Sequence, residues 1–164
     1  MQLLPAPSLQ HVFDLVIQVG TPIEAGHTLG ASGRGKRRII PILGGQLTGP
    51  TIGGVPMKGS VLPGGADYQV IVSDTVAELD ARYMLELEGG QRIYICNRAL
   101  RRAPAEITAR LARGEPVDPA LVYFRSTPSF EVAAPELEWL TENLFIGTGC
   151  RRPDRVELSV FRVD

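Results

Sequence analysis

Cysteine is scarce in this 164-residue chain: there are two, Cys96 and Cys150, and neither belongs to a C-x-x-C pair. That speaks against the thiolate framework of a structural zinc site and leaves a Cys96–Cys150 disulfide as the one bridge the chain could form. A single domain of this length buries a core without staples, so a reducing, cytoplasmic setting is expected. Histidine is as rare. His11 lies on an apolar strand face and His27 in a glycine-rich loop, and no carboxylate spacing joins them into a metal site. The formal net charge of −1 leaves no field of one sign to draw nucleic acid or an anionic membrane. One local exception, Arg34, Lys36, Arg37 and Arg38, reads as a solvated loop and strand start. No apolar run approaches the ~18 residues of a spanning helix, and the first residues lack the basic and apolar regions of a secretory signal. The expectation is a soluble protein with no membrane or nucleic-acid partner. Cofactor motifs are missing too. Gly33-Arg34-Gly35 lacks the third glycine and the strand–helix setting of a dinucleotide fingerprint. Neither a G-x-S-x-G nor a Walker pattern occurs, so no cofactor is expected.

What the chain does have is glycine and proline in one place. Between Arg38 and Gly65 fall eight of the 18 glycines and four of the 13 prolines, threaded among short β-branched runs. Such punctuation favours short strands bent hard at their ends.

Along the chain, residues 1–9 read as a flexible lead-in, and His11 to Val19 as a half-buried strand with His11, Phe13, Leu15, Ile17 and Val19 on one face. About 24–36 reads as a flexible loop. Strand-like runs follow at 37–43, 45–48, 58–62, 66–73, 81–88 and 91–97, the last two joined by Gly89-Gly90, a hairpin signal. Pro104 to Gly114 reads as a short capped helix near 105–113. A strand at 121–126, a helical turn within 135–143 and a last strand at 156–163 complete the chain, with Cys150 in a glycine-rich loop. One domain, residues 1–164, is expected. Its fold class is all-β: a closed antiparallel β-barrel with one short helix.

Certain segments resemble a known family. R-I-I-P-I-L-G-G from Arg38, the Gly49-Pro50 pair and L-P-G-G-A-D-Y-Q from Leu62 are similar to the Domain of Unknown Function 3237 family. So are R-Y at 82–83, Y-F-R at 123–125, F-E-V at 130–132, W-L at 139–140 and F-I-G-T-G at 145–149. They come in family order from about residue 10 to 163. Tyr68 departs from the pattern, standing where the family commonly has tryptophan. The resemblance implies a compact β-barrel that assembles as a homo-oligomer, and it implies no settled common activity.

Candidate chemistry centres on Asp67, which shares a strand face with Gln69 and Ile71. A carboxylate entering a closed barrel is partly desolvated, which raises its pKa toward that of a useful acid or base. Its other reading is a turn cap. Arg125, sharing a face with Tyr123, is the expected counter-charge for Asp67 or for a substrate carboxylate, with a wall salt bridge as the alternative. A direct Asp67–Arg125 pair would lower the Asp67 pKa and weaken it as a base, so the two roles compete. Tyr83 is a candidate for stabilising developing negative charge, although it shares a face with Leu85 and Leu87 as core would. Arg38, Tyr123 and Trp139 are candidate ligand-binding residues, Trp139 either as a lid or as a packing anchor. The expected function is a cofactor-independent acid–base enzyme, of isomerase, cyclase or lyase type, on a small carbonyl-bearing metabolite. A ligand-binding barrel without catalysis and an oligomeric structural module are the alternatives.

Overall fold

A computed structural model describes residues 3–164; Met1 and Gln2, part of the expected flexible lead-in, lie outside the described residues. The strands are β1 (Leu9–Val19), β2 (Ile23–His27), β3 (Lys36–Thr48), β4 (Thr51–Ile52), β5 (Val55–Pro56), β6 (Gly59–Val61), β7 (Ala66–Ile71), β8 (Val76–Leu87) and β9 (Arg92–Arg102). The helix α1 (Ala105–Ala112) separates these from β10 (Tyr123–Val132), β11 (Phe145–Arg151) and β12 (Arg155–Val163).

Every pairing is antiparallel, and the sheet closes on itself into an eight-strand barrel. Its wall runs β1–β12–β11–β10–β9–β8, then a position shared by the short β6 and β7, then β3, which pairs back onto β1. Closure is made at β3, whose first half pairs β7 and whose second half pairs β1 and β6. The Gly44-Gly45 pair, at positive φ, sits where it changes partners. A Cβ on Gly45 would lie 2.1 Å from the Val16 carbonyl oxygen, so only glycine lets the two strands come this close.

Alternation along each strand sends one set of side chains inward. Phe13, Leu15, Leu47, Leu85, Ile93, Ile95 and Val160 fill the interior with almost no exposure. One end is plugged by a 3-10 turn, Pro135–Leu140, whose buried Leu137 and Leu140 join an edge-to-face chain of Phe13, Phe130 and Phe145. At the other end the inward set turns polar. The barrel is thus apolar and sealed below, charged above.

Three expectations change. The stretch 24–36 is not a free loop: β2 folds back on the start of β3 as a hairpin, Lys36 pairing Glu24 at 2.8 Å and Arg34 pairing Glu78 across to β8. His11 does not share the inner face, because a bulge between His11 and Phe13 turns it outward against Phe161 and puts Val12 inside. Cys150 sits in strand β11, not in a loop, and both cysteines are free. No helix among the described residues is long and apolar enough to cross a membrane.

Candidate functional site

The G-G-A-D turn delivers Asp67 to the second position of β7, opposite Ile40 of β3 and Ala81 of β8, with its side chain inside the barrel. Its carboxylate is 8% exposed and accepts two hydrogen bonds, from the Gln69 amide to Oδ2 and from the Asp80 backbone N–H to Oδ1 at 3.1 Å. Gln69, two residues on and buried, turns its own carbonyl to the Nε–H of Arg38 at 2.9 Å. The result is a relay from Arg38 through Gln69 to Asp67.

That relay separates two effects a direct ion pair would merge. Burial pushes the Asp67 carboxyl pKa up, while the Gln69 and Asp80 bonds and the Arg101 and Arg38 charges pull it down, and burial prevails. A neutral amide stands between carboxylate and guanidinium, so Asp67 keeps an affinity for its proton that a salt bridge would remove.

Below Asp67 lies a cavity of about 40 Å³, bounded by Tyr83, Asn97, Ile17, Leu79 and Phe124. The Tyr83 hydroxyl and the Asn97 Oδ1 are both buried without a hydrogen-bond partner, as is the Ser126 Oγ. Burial and the nearby Asp67 charge raise the Tyr83 phenol well above its usual range; the Asn97 side chain, beside it but outside ordinary hydrogen-bond geometry, acts in the opposite direction. The group is therefore a neutral phenol at neutral pH, not a phenolate. Orphaned polar atoms in an otherwise apolar interior cost stability.

Above Asp67, two more arginines point inward, Arg101 from β9 and Arg151 from β11. Arg101 is 7% exposed, and among the described residues neither side chain forms a hydrogen bond or ion pair. Burial, then Arg151 and Arg38, draw the Arg101 pKa down to about 9, partly offset by Asp67, so the group stays charged at neutral pH. Arg38 and Arg151 are lowered for the same first reason, burial.

Of the residues singled out in the sequence, Asp67, Tyr83 and Arg38 come together here. Arg125 and Tyr123 do not. Even positions of β10 (Phe124, Ser126) face inward, so Tyr123 and Arg125 stand on the outer wall. There Arg125 donates to the Phe124 carbonyl at 3.0 Å and, with Arg102, flanks the Tyr123 ring. The expected Asp67–Arg125 pair is absent, and Arg38 and Arg101 supply the positive charge instead. Trp139 is at the plugged end, tilted against Phe145 at 6.1 Å, far along the barrel from Asp67.

Gln69, Asn97, Arg101 and Arg151 are the members sequence reasoning missed. Asn97 and Arg101 were findable, because Ile93, Ile95, Asn97, Ala99 and Arg101 share one strand face and the polar pair interrupts it. On the outer wall His11, Asp14 and Ser159 also cluster, but the carboxylate stands in the middle, so the imidazole is not placed to take the serine proton. No group of three or more metal-ligating side chains occurs among the described residues.

Comparison with known proteins places the fold among solved and curated relatives. A UPF0311 protein of Rhodopseudomonas palustris (strain TIE-1) is 42% identical over 159 residues, 97% of this chain and 98% of its own length. The crystal structure of the conserved protein of unknown function from R. palustris superposes with a TM-score of 0.88 at 40% identity, covering 99% of this chain and 100% of that one. An enzyme from Penicillium herquei reaches a TM-score of 0.68 over 100% and 99% of the two chains, but at 16% identity the likeness is one of fold alone. The profile of the family described as Protein of unknown function (DUF3237) matches residues 7–163, the whole barrel from β1 to β12. The chain belongs to that family.

Proposed function

We propose that the barrel is an acid–base enzyme that moves a proton on a small carbonyl-bearing metabolite, with Asp67 as the transferring group. The observation behind this reading is the buried Asp67 carboxyl, its pKa raised by burial, above a cavity where Tyr83 and Asn97 present unpartnered polar atoms. The Tyr83 O–H would donate to a carbonyl oxygen and stabilise charge developing there, while Asp67 takes or returns a proton at the neighbouring carbon. Isomerisation, cyclisation, hydration and elimination all consist of such steps. The chemistry needs no cofactor. At about 40 Å³ the cavity admits a reacting group of a few atoms, so the body of the substrate would stay at the mouth. That the P. herquei enzyme shares this fold adds only that such a barrel is compatible with catalysis. Free Cys96 and Cys150 thiols fit a reducing, cytoplasmic setting.

The test is deuterium exchange at carbon, followed by NMR, over a panel of small oxo and hydroxy acids, lactones and aromatic ketones. The expected result is enzyme-dependent exchange that falls by about 10²–10⁴ in Asp67→Asn and by about 10² in Tyr83→Phe, with the fold retained. Full exchange in Asp67→Asn would end the proposal.

The same small volume favours a second reading, in which the Arg38–Gln69–Asp67 relay braces the wall of a structural module. It predicts that no panel member exchanges and that Asp67→Asn lowers stability at every pH.

A further inference from the structure

The charged mouth has a composition that the proton-transfer reading does not explain. Arg38 from β3, Arg101 from β9 and Arg151 from β11 belong to the inward-facing sets of their strands; Arg101 lies within reach of the charges of Arg151 and Arg38, Arg151 within reach of that of Arg38, and the buried Asp67 carboxylate neighbours Arg38 and Arg101. The small cavity beside Asp67 is bounded by Val19 of β1, Val156 of β12, Phe124 of β10, and Leu79 and Tyr83 of β8. Glu24 at the rim is engaged by Lys36. Three guanidinium groups against one carboxylate leave the mouth two positive charges in excess, on a protein whose overall charge is −1.

Such an excess is costly to hold. Like charges repel, and a buried guanidinium without a partner forgoes the hydrogen bonds that water would give it. On the outer wall several arginines are paired, Arg82 with Asp80, Arg92 with Glu86 and Arg155 with Glu157, and others without an ion pair, such as Arg98 and Arg102, are exposed to water. Arg101, more deeply buried than any of these, has no hydrogen bond or ion pair among the described residues. A buried, unpartnered planar fork of N–H donors beside two further guanidinium groups is what recognition of an oxyanion requires.

The structure assigns this mouth, we infer, as an anion subsite in which Arg101 and Arg151, with Arg38 at the edge, hold the carboxylate of a small oxo or hydroxy acid. The assignment rests on the proton-transfer reading for the fate of the rest of the molecule, since a carboxylate held there directs the adjacent carbon toward Asp67 and Tyr83. It goes further in naming the substrate class and two residues that do the holding. Phosphate shares the oxyanion chemistry, and the probes below separate the two.

Calorimetric titration in low-salt buffer with pyruvate, lactate and acetoacetate, with inorganic phosphate as the other arm and chloride as the control, tests this on the intact protein. Saturable binding of at least one carboxylate is expected, weakened roughly tenfold to a hundredfold in Arg101→Met and in Arg151→Met. Arg102→Met, on the outer wall next in sequence, should bind as wild type does. Because these substitutions remove an unpaired charge, the melting temperature without ligand should hold or rise, which separates lost binding from lost fold. Phosphate binding in place of carboxylate binding, no saturable binding at all, or unchanged affinity in Arg101→Met would each overturn the assignment. The two proposals fail differently. Carboxylate binding without any Asp67-dependent exchange leaves the subsite standing and removes the enzyme, whereas Asp67-dependent exchange on an uncharged lactone or ketone alone does the reverse.

Discussion

Asp67 is set apart from the other carboxylates of the chain by the sign of its shift. Asp80, Glu115 and Glu157 lie on the outside beside arginines, and each has its pKa lowered. Asp67 has arginines nearby as well, yet its pKa rises, because burial outweighs the Gln69 and Asp80 hydrogen bonds and the arginine charges. The pH consequence follows from linkage. A carboxyl whose native pKa exceeds its unfolded value, near 3.9, binds its proton more tightly in the folded chain. Stability from this group is therefore complete below the unfolded pKa and declines as pH rises through the native one. Asp67→Asn removes that decline, keeping one acceptor for Gln69 or Asp80 and no charge. Melting temperatures of the two proteins from pH 3 to pH 8 should show the difference, variant minus wild type, climbing above about pH 4. A difference that stays flat would mean an unshifted carboxyl, and one that falls with rising pH a stabilised anion; either would remove the raised carboxyl that the acid–base reading requires.

At the scale of the element, the barrel depends on a few places where backbone meets backbone. Gly45 at β3 is one: its Cβ position is occupied by the Val16 carbonyl oxygen at 2.1 Å, and its φ is +153°. Gly45→Ala must therefore part β3 from β1, and a loss of about 3 kcal/mol, or roughly 6–12 °C in melting temperature, is expected. Gly54, in the β4–β5 hairpin, has φ +82° but open space around it, so Gly54→Ala should cost only about 1 kcal/mol. Equal losses at the two positions would contradict the closure geometry. The same packing explains which elements were legible in the sequence. The Gly89-Gly90 hairpin and the helix near 105–113 declared themselves through local signals, and both are found, as β8–β9 and α1. Strand β11 was hidden, because F-I-G-T-G-C-R looks like loop composition. Its glycines are instead contact surface: a Cβ on Gly149 would meet the Phe124 ring at 2.7 Å, and one on Gly147 the Ser126 Oγ at 2.4 Å. With β11 unread, Arg151 had no face to be assigned to. Arg125 misled in the opposite way, since a strand's alternation tells which residues share a face but not which face is the interior.

Over the whole molecule the two ends of the barrel divide the work. The lower end is sealed by the Pro135–Leu140 turn and its aromatic chain, and the upper end gathers the charges. Trp139 belongs to the seal. Its Nε1 is buried without an acceptor, its ring leans on Phe145, and its carbonyl receives the Asn143 amide at 2.7 Å. If folding energy is concentrated at one end and recognition at the other, substitutions at the two ends should act independently. Trp139→Ala is expected to cost about 2–3 kcal/mol, below the range for fully buried aromatics because the residue is half-buried. Its affinity for a carboxylate probe should match wild type. Combined with Arg101→Met, the stability changes should add to within about 0.5 kcal/mol, since the sites share no partner. The measurement is a double-mutant cycle in urea, with carboxylate titrations on all four proteins. A coupling well beyond that margin, or a weakened affinity in Trp139→Ala, would mean that the seal and the mouth move together. The interior between them, Ile95, Tyr83 and Phe124 foremost, would then transmit a change at one end to the other.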